Sequence, residues 1–287
     1  MIDAKTKLFG LLGNPVGHSM SPFMHNIFLQ QCGVNGVYLA FAVESGQVGA
    51  AMQGMYALGV QGCNVTIPHK EAVIPYLCGM SKAAEACGAV NTLIYTPEGY
   101  YGDNTDGAGL LAALEVKHSW KAAGQNILLV GAGGAAKGVS VAMALQGAAK
   151  ICIANRSAEK AEQLAAQIAQ ISGTQTEVVS LDGLQDRALY EQYGTIVNTT
   201  SLGMSPHVDD MIPICIEGLT SRHLVVDLIY NPLETKLLCL AREQGAQTAS
   251  GLGMFLYQGV LAFEAWTGVR PDTEQMKQLL MERLSGK

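Results

Sequence analysis

A glycine-rich turn lies in the middle of this chain, between a strand-like run and a helix-like run. Asn126-Ile127-Leu128-Leu129-Val130 reads as a short buried strand. Gly131-Ala132-Gly133-Gly134-Ala135-Ala136-Lys137-Gly138 follows, and Val139–Leu145 then reads as a helix. Strand, glycine turn and helix in this order form the phosphate-binding start of a dinucleotide fold. Glycine lets the backbone approach a pyrophosphate, and the helix N-terminus offers it free N–H groups and positive dipole. More than a hundred residues precede the turn. They need another task, and the simplest is to hold a substrate.

The next strand bears on the choice of nucleotide. Lys150–Ala154 is apolar and leads into Asn155-Arg156-Ser157-Ala158-Glu159-Lys160. A unit that binds NAD carries Asp or Glu at this strand end, for the ribose 2′-hydroxyl. Here the position is Asn155, with Arg156 and Lys160 beside it. Cations suit a 2′-phosphate, and guanidinium binds phosphate through a fork of donors. The expected cofactor is therefore NADP rather than NAD.

Composition narrows the remaining classes. Of 287 residues, 49% are hydrophobic and 15% charged, so the chain fills a large core and has a thin polar surface with room for an oligomer interface such as a homodimer's. Net charge is −6 and no basic block occurs, which argues against nucleic acid as a partner. No apolar run reaches the ~18 residues of a membrane helix. The first residues lack a secretory pattern, so a cytoplasmic protein is expected. The seven cysteines contain no Cys-x-x-Cys pair, so neither a metal site nor a disulfide framework is expected. Cys63 and Cys152 read as small buried hydrophobes.

Strand and helix patterns alternate before the glycine turn as they do after it, which predicts an α/β protein with parallel sheets. Strands are expected at Lys7–Gly13, Val37–Val43 and Gly62–Val65, and helices at Pro22–Cys32 and Gln47–Leu58. Ala89–Tyr95 and Gly99–Gly102 read as extended segments around a Pro97-Glu98-Gly99 turn, and Asp106–Glu115 as a helix leading into the nucleotide unit. That unit is expected to carry strands at Asn126–Val130, Lys150–Ala154, Glu177–Ser180, Thr195–Asn198, His223–Asp227 and Ala246–Ala249. Six strands complete such a sheet, so the closing helices Met254–Thr267 and Thr273–Leu284 are expected to return to the first domain. Residues 1–105 and 251–287 then form one domain and residues 106–250 the nucleotide domain. Gly102, Gly107, Gly251 and Gly253 lie near the junctions, where glycines suit a hinge.

Polar residues crowd the expected strand ends of the first domain, where ligands of open α/β sheets bind. Gly13-Asn14-Pro15-Val16-Gly17-His18-Ser19-Met20-Ser21-Pro22 presents two hydroxyls suited to a carboxylate. Ser21 before Pro22 is equally the signature of a helix cap. Asn64-Val65-Thr66-Ile67-Pro68-His69-Lys70 places a lysine just past a buried strand, as a candidate proton donor. Its bland alternative is a solvated lysine at a helix start. Asn91 ends another apolar run. Asp106 either caps the following helix or faces Lys70 across a substrate.

Together these segments resemble the shikimate dehydrogenase family along the whole chain. The resemblance rests on Gly-Asn-Pro-x-x-His-Ser-x-Ser-Pro at 13–22, Asn-Val-Thr-x-Pro-x-Lys at 64–70, Asn-Thr at 91–92 and Asp-Asn-Thr-Asp-Gly at 103–107. It continues through Gly-Ala-Gly-Gly-Ala at 131–135, Asn-Arg-Ser at 155–157, Asn198–Met204, Asp227–Pro232 and Gly251-Leu252-Gly253-Met254 with Gln258. It implies a substrate domain built from both chain ends with an inserted Rossmann NADP domain. The implied reaction is the reversible reduction of 3-dehydroshikimate to shikimate with NADPH, a step of aromatic amino acid biosynthesis. It further implies that Ser19, Ser21 and Tyr230 hold the ring carboxylate and that Thr66, Asn91, Asp106 and Gln258 bond ring hydroxyls. Lys70 and Asp106 are implied as the catalytic pair, both touching substrate. For the cofactor it implies Gly131, Ala132, Gly133, Gly134, Ala135, Asn155, Arg156, Ser157, Lys160, Thr199, Leu228, Gly251 and Met254. Leu228 departs from the Met that many relatives place beside the nicotinamide.

Two alternatives stay open at this point. Relatives that act on quinate or use NAD share most of the pattern, although Ser19/Ser21 and Arg156/Lys160 favour shikimate and NADP. A nucleotide-sensing module without turnover is a different class, and the presence of both Lys70 and Asp106 argues against it.

Overall fold

The computed structural model describes residues 2–286. The elements run β1 (Lys7–Gly13), α1 (Ser21–Gln31), β2 (Gly36–Ala42), α2 (Val48–Ala57), β3 (Gly62–Val65), β4 (Leu77–Met80), α3 (Lys82–Cys87), β5 (Thr92–Thr96) and β6 (Gly99–Asp103). They continue with α4 (Asp106–His118), β7 (Asn126–Val130), α5 (Gly134–Leu145), β8 (Lys150–Ala154), α6 (Ala158–Ser172), β9 (Gln175–Val179), α7 (Leu189–Gln192), β10 (Thr195–Asn198) and β11 (Leu224–Asp227). The last are α8 (Lys236–Glu243), β12 (Gln247–Ser250), α9 (Leu252–Thr267) and α10 (Thr273–Leu284). Two compact units result. The first comprises the chain up to Asp106 with Leu256–Leu280, and the second Gly107–Phe255 with the residues from Met281 onward.

The second unit is a six-stranded sheet in the order β12-β11-β10-β7-β8-β9, with every pairing parallel. Counted within the unit this is the doubly wound order 3-2-1-4-5-6, whose strand order reverses between its first and fourth strands, β7 and β10. The continuous apolar run of β7 serves both faces of that sheet, because successive side chains point to opposite sides. Ile127 and Leu129 join one core with Ile151, Ile153 and Val197. Leu128 and Val130 join the other with Cys152, Ala154 and Ile196. Helix α6 packs by Ala161, Leu164, Ala165 and Ile168, the i, i+3, i+4, i+7 stripe of one helix face. Burying a leucine of this kind contributes ~1.5–3 kcal/mol. The Ser157 hydroxyl caps α6 by accepting from Lys160 N, and Gly173 ends it in the left-handed region.

The first unit departs from the expected parallel sheet. Its order is β2-β1-β3-β5-β6-β4, with β1 parallel to β2 and β3, but β5 antiparallel to both β3 and β6. The Pro97-Glu98-Gly99 turn makes β5 and β6 a hairpin, and a hairpin can only be antiparallel. Strand β4 and helix α3 were not expected. Leu77-Cys78-Gly79-Met80 is short and half-exposed, so no alternation marks it, while Ser81 does carry the capping signal of α3. Trp266 of α9 lies on β3, where a Cβ at Gly62 would sit 2.4 Å from the indole, and its Nε1 donates to Leu93 O at 2.9 Å.

One further expectation needs correction. Helix α5 begins at Gly134, inside the glycine run, rather than at Val139. The four junction glycines sit at close approaches: a Cβ would lie 2.6 Å from Leu77 at Gly102, 2.4 Å from Gly138 O at Gly107, 1.9 Å from Leu228 O at Gly251 and 2.8 Å from Ala113 at Gly253. Each marks a close approach that any larger residue would disrupt.

Candidate active site

In the first unit the loops leaving β1 and β3 run side by side. Asn14 N donates to Ile67 O at 3.0 Å and Thr66 N to Leu12 O at 2.9 Å. A Cβ at Gly13 would meet the Thr66 methyl at 2.3 Å, so the serine loop and the Thr66–Lys70 loop are in contact. Ser21 is the first residue of α1, Met20 occupies the cap position, and no side chain caps this helix. Ser19 Oγ instead accepts from Ser21 N at 3.2 Å, which leaves both hydroxyl protons available to an acceptor.

Lys70 and Asp106 meet as an ion pair of largely buried side chains, 19% and 9% exposed. Asp106 stands in the first turn of α4, yet its carboxylate serves Lys70 and Asn91 rather than the helix end: Asn91 Nδ2 donates to Asp106 Oδ1 at 2.8 Å. Asn91 is held in turn. Its Oδ1 accepts from Thr105 N at 2.9 Å and from Thr92 Oγ1 at 2.8 Å. Lys70 O accepts from Val90 N at 2.8 Å, which fixes the lysine backbone beside Asn91. A buried charged pair with its lone pairs satisfied is rigid, and breaking it leaves an uncompensated charge. The bland readings, a cap for Asp106 and a solvated residue for Lys70, do not describe this geometry. His69 is buried with Nε2 at 2.6 Å from Val43 O and plays a structural part. Gln258 is half-buried on α9.

Sequence reasoning did not single out Thr105 or Asn64. Asn64 lies two residues before Thr66, and that spacing, which puts both on one face of an extended run, was the available signal. Its Oδ1 accepts from Tyr38 Oη at 2.7 Å.

In the second unit, Gly131 has φ +114° and follows β7 directly, and a Cβ there would lie 2.3 Å from Thr199 Oγ1. Thr199 donates twice to Val130 O, from N at 2.9 Å and from Oγ1 at 2.8 Å, so this threonine closes the β10 side of the glycine turn. Ala132, Gly133, Gly134 and Ala135 carry the chain into α5, and a Cβ at Gly133 or Gly134 would meet open space. Asn155 Nδ2 donates to Ser157 O at 2.9 Å, which shapes the turn after β8. Arg156 and Lys160 are exposed there, and neither side chain has a hydrogen-bond or ion-pair partner among the described residues. The glycine cradle and these two cations fit a dinucleotide with a 2′-phosphate.

Asp227 ends β11 and is fully buried. It accepts from Asn198 Nδ2 at 3.0 Å, Ile229 N at 3.1 Å and Thr235 Oγ1 at 2.7 Å. Burial pushes its carboxyl above the ordinary range, and these donors oppose that shift. The network fixes the segment that carries Leu228 and Tyr230. Leu228 is half-buried, with its carbonyl against Gly251. Tyr230 stacks on Phe255 at 4.8 Å, and Met254 is buried in the core of this unit. Tyr230 thus belongs to a different unit from Ser19 and Ser21, with which the resemblance groups it.

Comparison with known proteins agrees with this architecture. Residues 11–93 match the shikimate dehydrogenase substrate binding domain, residues 112–228 the shikimate/quinate 5-dehydrogenase family, and residues 251–281 the shikimate 5′-dehydrogenase C-terminal domain. The chain is 45% identical over 278 residues to the NADP(+) shikimate dehydrogenase of Geobacillus kaustophilus, covering 97% of this chain and 99% of that one. The chain belongs to the shikimate dehydrogenase family. A shikimate dehydrogenase solved in complex with NADP+ superposes with TM-score 0.93 at 42% identity, covering 99% of this chain and 98% of that chain. The Listeria monocytogenes shikimate 5-dehydrogenase, solved with shikimate and NAD, gives TM-score 0.93 at 34% identity, covering 97% and 98%.

Proposed function

We propose that this chain catalyses the reversible reduction of 3-dehydroshikimate to shikimate with NADPH, and that Lys70 and Asp106 are its catalytic pair. The observation that carries this reading is the Lys70–Asp106–Asn91 cluster at the strand ends of the first unit. Family membership supports the substrate and the cofactor.

Bound NADPH supplies the hydride that reduces the ring ketone. The carbonyl oxygen gains negative charge only as the bond order to carbon falls. A lysine ammonium at that oxygen stabilises the charge and delivers the proton, so the ketone becomes the alcohol. Asp106 and Asn91 orient the lysine and accept from or donate to neighbouring ring hydroxyls. Ser19 and Ser21 offer hydroxyl protons to the ring carboxylate, while Thr66 and Gln258 bond further hydroxyls. Gly131–Ala135 and Thr199 would hold the pyrophosphate, and Asn155, Arg156, Ser157 and Lys160 would hold the ribose with its 2′-phosphate. Leu228, Gly251 and Met254 are assigned to the nicotinamide side.

The partners on this reading are small molecules, in the cytoplasm, with neither nucleic acid nor membrane involved. Among the described residues no helix is long and apolar enough to cross a membrane. The thin polar surface suits a homodimer, which sedimentation would test. The activity is tested by following NADPH absorbance with 3-dehydroshikimate in parallel with quinate and NAD+. Preference for 3-dehydroshikimate and NADPH is expected. Nucleotide binding without turnover would contradict the proposal.

A further inference from the structure

Helix α4 begins at Asp106, and the first backbone N–H groups of a helix have no partner within it. An aspartate at a helix start ordinarily supplies an acceptor itself. Here the acceptor is Asn104: Asp106 N donates to Asn104 Oδ1 at 3.1 Å. The Asp106 carboxylate is left to Lys70 and Asn91.

The other end of the same amide reaches the segment before β5. Asn104 Nδ2 donates to Ala89 O at 2.9 Å. A backbone N–H only donates and a carbonyl only accepts, so the two bonds allow one orientation of the amide. Asn104 is 6% exposed, and a buried amide costs free energy unless it is bonded. The segment it reaches is also where Lys70 is fastened, because Val90 N donates to Lys70 O at 2.8 Å. Asn104 therefore spans the backbone that carries the carboxylate and the backbone against which the lysine is held. Two other bonds join these segments, Asn91 N to Asp103 O at 3.0 Å and Thr105 N to Asn91 Oδ1 at 2.9 Å, and neither acts on the Asp106 backbone. Asn104 is held in turn: its N donates to Asp103 Oδ1 at 2.7 Å, and the Ser81 hydroxyl donates to the same oxygen.

The helix end alone does not call for an asparagine here. A serine hydroxyl also accepts from an N–H two residues on, but it is too short to bond a second backbone segment as well.

We propose that Asn104 is a positioning residue for the catalytic pair, whose amide spans Ala89 O and Asp106 N and so sets the Asp106 carboxylate against Lys70. Asn104 acts through Asp106 and does not touch substrate. Its role rests on the reading of Lys70 and Asp106 as the catalytic pair, so the test includes a variant of that lysine.

Asn104→Ala removes both bonds. Asn104→Ser keeps an acceptor for Asp106 N and loses the span, which separates the helix end from the positioning. Steady-state kinetics with saturating shikimate and NADP would be compared for wild type, Asn104→Ala, Asn104→Ser, Lys70→Met and each Asn104 change combined with Lys70→Met, with melting midpoints of all. The expected result is a fall in kcat of about tenfold in both Asn104 variants, on the scale of one buried hydrogen bond. The KM for NADP should stay near native, and Asn104→Ser should melt closer to wild type than Asn104→Ala. In the Lys70→Met background either change should add little, because residues that act as a unit are not additive. Native kcat in a folded Asn104→Ser would overturn the span. So would a fall in kcat that recurs in full in the Lys70→Met background, which is the mark of an independent structural loss. Should Asn104→Ala fail to fold, Asn104→Ser carries the same comparison. Near-native kcat in Lys70→Met would instead remove the catalytic pair, and the role of Asn104 with it.

Discussion

Lys70 and Asp106 hold each other inside a lattice of buried amides and hydroxyls, whereas Arg156 and Lys160 stand exposed with no partner for their side chains among the described residues. The first arrangement fixes its charges before any ligand arrives. On the proposed reading the second leaves its charges to be neutralised by the ligand. A group that must stabilise charge appearing during a reaction gains from being preorganised. A group that only recognises a charge already present on the ligand gains less, and water and salt screen it until binding. The glycine turn of the second unit has no room for a side chain at Gly131, where a Cβ would lie 2.3 Å from Thr199 Oγ1.

The largest effect should follow from breaking the preorganised pair. Lys70→Met is expected to lower kcat by ~10²–10⁴-fold, the range of general acid–base groups, with a smaller change in KM. Near-native kcat in a folded variant would remove Lys70 from the catalytic pair. Arg156→Asp should act on the other region only, lowering the preference for NADP over NAD by roughly tenfold to a hundredfold through like-charge repulsion and loss of a charge-assisted bond. The kcat with saturating NADP should change little. Unchanged NADP affinity would remove the 2′-phosphate assignment.

Smaller effects are expected where charge does not change. Ser19→Ala should raise the KM for shikimate about three- to tenfold with kcat almost kept, since the carboxylate has the same charge throughout hydride transfer. A native KM would make Ser19 a loop residue. The smallest effect concerns stability alone. His25 has a folded pKa of about 3, below its unfolded value near 6.5, so the unfolded chain binds more protons between these limits. Stability is therefore fully present above about pH 6.5 and falls by up to about 1.4 kcal/mol per pH unit below it. Urea titrations at pH 7 and pH 5.5 should show a steeper loss in wild type than in His25→Phe. Equal slopes would contradict the burial of a neutral imidazole.

Sequence reasoning reached the second unit more fully than the first, for a physical reason. A parallel sheet covered on both faces needs unbroken apolar strands, and the runs at Ile127–Val130 and Ile151–Ala154 carry that signal in the chain itself. The first unit is a mixed sheet. Its β4 strand is half-exposed and four residues long, so neither alternation nor an apolar run marks it. The candidate site was legible as residues and not as a network. Lys70 and Asp106 stood out as polar groups at strand ends, but their pairing spans 36 positions and depends on how β3, β5 and β6 align. Tyr38 and His25 gave no signal, because an aromatic in an apolar strand and a lone histidine on a helix both read as core.

A crystal structure of the protein with shikimate bound would test the assignment of the first unit at atomic level. The expected complex has the ring carboxylate on the Ser19 and Ser21 hydroxyls, and the oxygen of the reacting carbon within about 3.2 Å of Lys70 Nζ. Asp106 and Asn91 should meet the adjacent hydroxyls. A ring bound with its carboxylate on Lys70, or bound away from the Lys70–Asp106 pair, would contradict the catalytic roles proposed for these residues.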